Sequence, residues 1–146
     1  MDEGKRYRIQ RYGEVFTPQP IVEQMCDALD EQADGHAFDI EKTFLEPTCG
    51  DGVFVMEILR RKFLRCRNRE DYTKALSSVW GMDIQERNVK ATIENVRRLC
   101  ESFFRPTKRE YKIINDHIIL CDSLKVMQMM NELNEIGKEN KVGDQQ

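Results

Sequence analysis

The sequence of 146 residues has no long apolar run, and its charged N-terminus has no apolar centre. A membrane-spanning helix needs about 20 consecutive apolar residues, and a secretory signal peptide needs an apolar central stretch. Because both are missing, the sequence predicts a cytoplasmic protein with no membrane association. Residues 1–12 are polar, and we expect them to form a flexible N-terminal segment ahead of the domain.

Paired cysteines and clustered histidines are missing as well. The five cysteines are widely spaced and never form C-x-x-C, and neither of the two histidines stands at the spacing of a zinc site. This pattern argues against a zinc module and against a disulfide scaffold. The sequence predicts no metal site, and it predicts free, buried thiols in a reducing compartment.

An excess of positive charge is also lacking, since the formal net charge is −3. Nucleic-acid-binding domains usually carry a basic surplus. Basic residues are clustered only locally: Lys5, Arg6, Arg8 and Arg11 form one group, and Arg60, Arg61, Lys62, Arg65, Arg67 and Arg69 form another. A solvated helix face and a DNA-facing patch both fit such clusters, and the solvated face is the more ordinary interpretation.

The spacing of apolar residues predicts alternating helices and strands. Helices are expected at 19–31, where Ile21, Met25 and Leu29 recur every four residues, and at 53–66, 71–76, 86–104 and 123–136; strands are expected at 43–45, 78–82 and 118–120. Strands that alternate with helices of this length indicate right-handed crossovers and a parallel sheet.

The most informative stretch is FLEPTCGDGVFVMEIL, residues 44–59. A strand leads into an acidic residue, then into a loop with Gly50 and Gly52, and then directly into a helix. Glycines permit backbone conformations closed to other residues and let a ligand approach the main chain. Such a loop at the carboxyl end of a parallel strand is where ligands bind in open α/β sheets.

The loop departs from the dinucleotide-binding pattern G-x-G-x-x-G, because Val55 stands where the third glycine belongs. Glu46 and Asp51 would also place negative charge beside a pyrophosphate. These features favour a ligand that carries a cationic group. A tight strand-to-helix turn without a ligand is the alternative interpretation of this segment.

The pattern E-P-x-C-G-D-G-x-F resembles motif I of the amino-methyltransferases that modify exocyclic nitrogens in DNA, especially the adenine-specific group. The resemblance implies a Rossmann-like α/β fold of three αβα layers with a mainly parallel sheet, truncated after about the third strand. Residues 13–124 would form this domain, followed by a C-terminal helix and polar tail over 125–146. The implied cofactor is S-adenosylmethionine, whose ammonium is the cation expected above, and the implied contacts are Glu46, Pro47, Thr48, Cys49, Gly50, Asp51, Gly52 and Phe54.

Residues 13–29, GEVFTPQPIVEQMCDAL, are similar to motif X of the same family. In that motif Phe-Thr-Pro precedes a helix and caps the carboxylate of the cofactor. The resemblance assigns this role to Phe16, Thr17 and Pro18. Local capping of the following helix by Thr17 is the alternative.

Two further stretches follow in the order that the family requires. In VWGMDI an acid ends the second strand, and in nucleoside-binding α/β folds such an acid accepts from the ribose hydroxyls. This role falls to Asp83, and Ile84 would lie against the adenine ring. HIILCDSL resembles motif III, where an acid accepts from the adenine amino group, so Asp122 and Ser123 are expected at the cofactor. Taken singly, both acids also suit a helix cap.

The catalytic loop of the family, D/N/S-P-P-Y/F/W, has no match in this chain. The four prolines are Pro18, Pro20, Pro47 and Pro106, and no two are adjacent. That loop receives a flipped adenine and accepts from its amino group. We therefore expect the chain to bind the cofactor without methylating DNA, and to reach DNA only through a missing segment or a partner subunit.

The fourth strand of the fold is missing together with that loop. One edge of the first strand is then unpaired, and exposed edges invite pairing or aggregation. We expect residues 123–136, a partner chain or second copy, or further residues of a longer gene product to cover it.

The leading hypothesis is therefore the S-adenosylmethionine-binding domain of a DNA adenine methyltransferase of the restriction-modification type. One alternative is a non-catalytic interaction or scaffold module that keeps the fold. Another is a small-molecule or protein methyltransferase, but Phe-Thr-Pro ahead of motif I argues against it.

Overall fold

The computed structural model describes residues 17–144, with side chains through residue 140. This part of the chain contains six helices and three strands. The helices are α1 (Gln19–Gln32), α2 (Val53–Phe63), α3 (Arg69–Ser77), α4 (Glu86–Phe103), α5 (Lys108–His117) and α6 (Ser123–Asp144). The strands are β1 (Phe44–Glu46), β2 (Val79–Asp83) and β3 (Ile118–Leu120). The flexible segment predicted for residues 1–12, the first basic group and Phe16 lie outside the described residues.

The three strands form one parallel sheet in the order β1-β2-β3. Phe44 lies beside Val79, and Gly81 lies beside Ile118. Because consecutive strands are neighbours, each connection is a short crossover that contains helices. The predicted α/β class with a parallel sheet is confirmed.

The core lies against one face of this sheet. Along β2 the residues Val79, Gly81 and Asp83 are buried, whereas Trp80 and Met82 are half-buried on the opposite face. Right-handed crossovers between neighbouring strands place the connecting helices on the same side. Gly81 allows close packing here, since a Cβ on it would meet Cys49 at 3.2 Å and would crowd α2.

Helix α1 packs through a different face from the one that its sequence indicates. The fully buried residues are Val22 and Cys26, whereas Ile21, Met25 and Leu29 are 44–49% exposed. Both sets follow helical spacing, so periodicity alone could not choose between them. The expected amphipathic helix is present, but its regular apolar stripe faces outward.

Most side chains of the second basic cluster form ion pairs within the chain. Glu57 is buried and accepts hydrogen bonds from Arg60 (2.6 and 3.0 Å) and Arg61 (2.8 Å). Burial opposes ionisation of Glu57, but these two guanidinium groups outweigh it and hold its pKa below the ordinary value. Arg61 also binds Asp27 of α1 at 2.7 Å. The interpretation of this cluster as a solvated helix face is therefore wrong for Arg61, whose side chain is 17% exposed, whereas the Arg60 side chain is 42% exposed.

Lys62 belongs to the same cluster and is fully buried. Its ammonium donates to the carbonyls of Asp39, Ile40 and Lys42 and to the Ser78 hydroxyl. Burial lowers the pKa of Lys62 to about 8. The side chain ties the segment before β1 to the start of β2, so it is a structural residue.

Helix α5 was not predicted, although the sequence carries a signal for it. Thr107 and Glu110 have the T-x-x-E spacing of a capping box just after Pro106. The Thr107 hydroxyl contacts the Glu110 carboxylate at 2.7 Å, and Glu110 and Ile114 are buried one turn apart. Helix α5 ends directly before β3 begins.

Boundaries differ from the predictions at several other places. Strand β1 lies one residue further along than expected, and α2 ends at Phe63 instead of residue 66. Helix α6 continues through the stretch expected to be a polar tail and is 22 residues long. No helix within residues 17–144 is long and apolar enough to cross a membrane. All five cysteines are free; Cys26, Cys49 and Cys100 are buried as the sequence predicts, whereas Cys66 and Cys121 are only half-buried.

Candidate functional site

The carboxyl ends of the three strands are joined by hydrogen bonds into one surface. The Cys49 amide donates to the Met82 carbonyl at 2.7 Å, and the Cys121 amide donates to the Asp83 carbonyl at 3.0 Å. The Gly50 amide donates to the Asp83 carboxylate at 3.0 Å. The segments predicted as motifs I and III and the strand that ends at Asp83 are thereby brought together, with Asp83 between the two motifs.

The loop between β1 and α2 depends on its two glycines. Gly50 has φ +56° and Gly52 has φ +91°, both in the left-handed region. Gly52 is the N-cap of α2, and its carbonyl accepts from Met56 at 2.8 Å. A Cβ on Gly50 would meet no atom within 4 Å, whereas one on Gly52 would lie 2.9 Å from Thr92. The loop therefore faces open space at Gly50 and α4 at Gly52.

Two polar residues of α4 hold this loop, and sequence reasoning missed both. The Thr92 hydroxyl donates to the Gly50 carbonyl, and the Asn95 amide donates to the Asp51 carbonyl, each at 3.0 Å. The signal was a polar stripe at helical spacing on the buried side of α4, at Asn88, Thr92 and Asn95. Polar side chains on a buried helix face need partners, and the loop carbonyls supply them.

Asp83 is 4% exposed, and its carboxylate accepts three hydrogen bonds from the described residues. The donors are the amides of Gly50 (3.0 Å) and Gln85 (2.8 Å) and the side chain of Asn88 (3.2 Å). A carboxylate offers about four acceptor positions, so most of its capacity is used inside the chain. In this geometry Asp83 positions the glycine loop, and the expected contact with ribose stays a prediction.

Glu46 has a different environment from Asp83. It is half-buried at the end of β1, and its partner within residues 17–144 is the Thr48 amide at 3.2 Å. Burial raises the pKa of this carboxyl, and the hydrogen bond from Thr48 offsets the effect only in part. No cation of the described residues forms an ion pair with it. A cationic ligand group at this position would stabilise its charged form.

Helix α1, which follows the predicted motif X residues, packs beside α2. Arg61 binds Asp27 at 2.7 Å, and Arg65, further along the chain, reaches Asp30 at 3.7 Å. Arg61 also donates to the Glu23 carbonyl of α1 at 3.2 Å, so this arginine joins the two helices directly.

Thr17 does not cap α1, contrary to the alternative derived from the sequence. The N-cap residue is Pro18, and α1 has no side-chain capping bond. Thr17 itself is half-buried and Pro18 is exposed. The local-capping alternative is therefore wrong, the cofactor role of Thr17 and Pro18 stays a prediction, and Phe16 lies outside the described residues.

The remaining predicted residues divide between the surface and the protein interior. Ile84 is 66% exposed directly after Asp83. Asp122 accepts from the amides of Leu124 (3.1 Å) and Lys125 (3.4 Å) at the start of α6. This is the helix-capping role given above as its alternative, and Ser123 is the first residue of that helix. Among the motif I residues, Thr48 is exposed and Pro47 half-buried, whereas Phe54 packs against the core.

A cleft of about 730 Å³ lies at the opposite end of the strands. Its lining includes Thr43 before β1, Ser78 before β2, and both basic and acidic side chains. Ser78 donates its hydroxyl to the Ala75 carbonyl within the chain. Ligands of open parallel sheets bind at the carboxyl ends of the strands, so the surface around Gly50 is the better candidate.

The candidate site therefore combines a glycine loop open at Gly50, a half-buried carboxylate at Glu46, and Asp83 beneath the loop. Thr92 and Asn95 fix the loop from the side of α4. The interpretation of this site rests on these contacts alone, because no family model, no curated protein and no solved structure matches this chain.

Proposed function

We propose that this chain binds S-adenosylmethionine through the loop between β1 and α2, and that it is the cofactor-binding part of a DNA adenine methyltransferase. The observation that carries the proposal is the half-buried Glu46 carboxylate, which lacks a cationic partner among residues 17–144 and stands beside a loop open at Gly50. A ligand with an ammonium group fits this charge.

The residues present fit the cofactor in three respects. Glu46 would bind the ammonium of the methionine portion, and the loop at Gly50 leaves room beside the main chain. Exposed Ile84 would contact the adenine ring. Asp83 would act mainly by holding the Gly50 amide in place. When bound, S-adenosylmethionine supplies an electrophilic methyl group on a sulfonium.

The sequence lacks the catalytic loop that would bind adenine, the acceptor of the methyl group. Its four prolines are separated, so the Pro-Pro-aromatic loop that would receive an adenine is not in this sequence. The described part of β1 is also an unpaired edge with Leu45 54% exposed. The proposal therefore includes a further segment or a partner subunit that supplies the acceptor loop and contacts DNA.

Substitution of Glu46 tests the proposal most sharply. We expect Glu46→Gln to weaken S-adenosylmethionine binding about 10- to 100-fold, because a hydrogen bond to a charged group contributes roughly 1.5–3 kcal/mol. Isothermal titration calorimetry of the folded variant measures this change. The matched control is Glu41→Gln, an exposed acid before β1, which is expected to leave the affinity unchanged.

The pH dependence of binding follows from the same group. Because burial raises the pKa of Glu46 above 4.5, the carboxylate takes up a proton as the pH falls from neutrality towards that value. Affinity of the parent chain is then expected to fall, while affinity of Glu46→Gln stays flat over the same range. If the affinities of the two chains changed with pH in the same way, Glu46 would not be part of the binding site.

A non-catalytic scaffold module is the second candidate function. The observation in its favour is that the three donors around Asp83 occupy most of its acceptor positions without any ligand. A scaffold of this kind would have the same melting temperature with and without S-adenosylmethionine. A binding domain would melt at a higher temperature as the ligand concentration rises above its Kd.

A further inference from the structure

Helix α6 has almost no tertiary support from the described part of its own chain. It is 22 residues long, about 33 Å at the usual helical rise, and every residue from Met127 to Asn140 is exposed. It also contains Gly137 and three asparagines, which lower helix propensity. Helices in proteins owe most of their stability to packing of an apolar face. A helix of this composition therefore needs a partner.

Five apolar residues of α6 share one face, whereas exposed Leu124 and Met127 lie on other sides of the helix. Met129, Met130, Leu133 and Ile136 are 53–65% exposed, and with half-buried Val126 they follow spacings of three and four residues. At 3.6 residues per turn these five positions fall within about one-third of the helix circumference. Val126, Met129, Leu133 and Ile136 occupy the a and d positions of two heptads, the pattern that pairs helices.

The charges beside this stripe select an orientation for pairing with an identical helix. In an antiparallel pair, Val126 of one copy meets Ile136 of the other, and Met129 meets Leu133. Lys125 then lies opposite Glu139 of the second copy, and this ion pair occurs twice. This arrangement also places the two negatively charged Glu132 side chains beside each other at the centre of the pair, which is unfavourable. In a parallel pair, no residues of opposite charge face each other beside the stripe. Two Asn140 side chains would also meet in the apolar seam, which lowers stability.

We infer that α6 binds α6 of a second copy of this chain in an antiparallel pair, so that the protein is a homodimer. The apolar stripe provides the attraction, and the Lys125–Glu139 pairs set the direction. Two heptads are a short seam, so the dimer dissociates on dilution. This inference is independent of the proposed cofactor site, which lies on the loop between β1 and α2.

Analytical ultracentrifugation of the full chain tests the stripe. We expect a concentration-dependent dimer, and we expect Leu133→Lys to raise its dissociation constant at least tenfold. The matched control is Leu124→Lys, because Leu124 is 75% exposed and points away from the stripe; it should leave the dimer intact. A monomer at all concentrations, or equal effects of the two variants, would overturn the inference.

Charge exchange tests the orientation. Lys125→Glu alone and Glu139→Lys alone each place like charges together and should weaken the dimer, whereas the double variant restores opposite charges and should recover it. If Leu133→Lys instead lowers the melting temperature of a monomer, α6 packs on its own chain and the inference fails. Failure of the double variant to recover the dimer would rule out the antiparallel pair.

Discussion

Asp83→Ala is expected to lower the free energy of unfolding by about 3 kcal/mol, since each buried polar group left without a partner costs about 1–3 kcal/mol. The substitution removes the acceptor of two backbone amides, Gly50 and Gln85, and of the Asn88 side chain. It also releases the glycine loop from the end of β2. Urea denaturation followed by circular dichroism measures the change.

Asp122→Ala is the matched control for this substitution. Asp122 is the acid at the end of the neighbouring strand, but it is half-buried, and its carboxylate accepts within residues 17–144 only from the first turn of α6. Loss of such a cap costs about 1 kcal/mol. Equal losses for the two variants would mean that the Asp83 hydrogen bonds do not hold the loop, and its carboxylate would then be available to a ligand.

Gly52→Ala is expected to cost about 3 kcal/mol. A residue with a Cβ in the left-handed region costs about 1–2 kcal/mol, and overpacking adds about 1–3 kcal/mol. Here the φ is +91° and the new carbon would lie 2.9 and 3.0 Å from the two branches of Thr92. Because the Thr92 hydroxyl also binds the Gly50 carbonyl, the clash disturbs the loop as well. Chemical denaturation gives the value.

Gly50→Ala separates backbone strain from the clash. Gly50 also has a positive φ, but the space beside it is open, so strain alone remains and the expected cost is about 1 kcal/mol. The stability difference between the two variants measures the contact with Thr92. If both variants lose the same stability, Thr92 of α4 moves aside without a measurable cost, and α4 does not fix the loop. In binding, Gly50→Ala should still interfere, because its methyl group points into the space proposed for the ligand.

Much of the fold follows from local patterns in the sequence. The strand-loop-helix unit around Glu46, the strand ending at Asp83 and the long α4 are found where apolar spacing places them. What the sequence could not indicate is which of two helical stripes on α1 is buried. Val22 is buried and Ile21 is exposed, and the orientation of α1 depends on contacts with distant parts of the chain, such as the ion pair between Asp27 and Arg61.

In the candidate site, too, the contiguous motifs could be predicted from the sequence, whereas the contacts between distant residues could not. The glycines and acids at the strand ends are visible as motifs, because each motif is contiguous. The support from Thr92 and Asn95 arises some 40 residues further along the chain and has no local signature beyond a polar stripe. The prediction for Asp83 placed it correctly at the strand end. Its three internal donors depend on how the loop and α4 come together.

The proposed cofactor site is tested most directly by titrating ¹⁵N-labelled chain with S-adenosylmethionine and recording amide chemical shifts. The account predicts saturable shifts at Gly50, Gly52 and Ile84, with Gly35 and Gly137 unaffected because they lie outside the site. An absence of shifts at millimolar ligand, or shifts confined to the cleft beside Thr73 and Ser78, would contradict it.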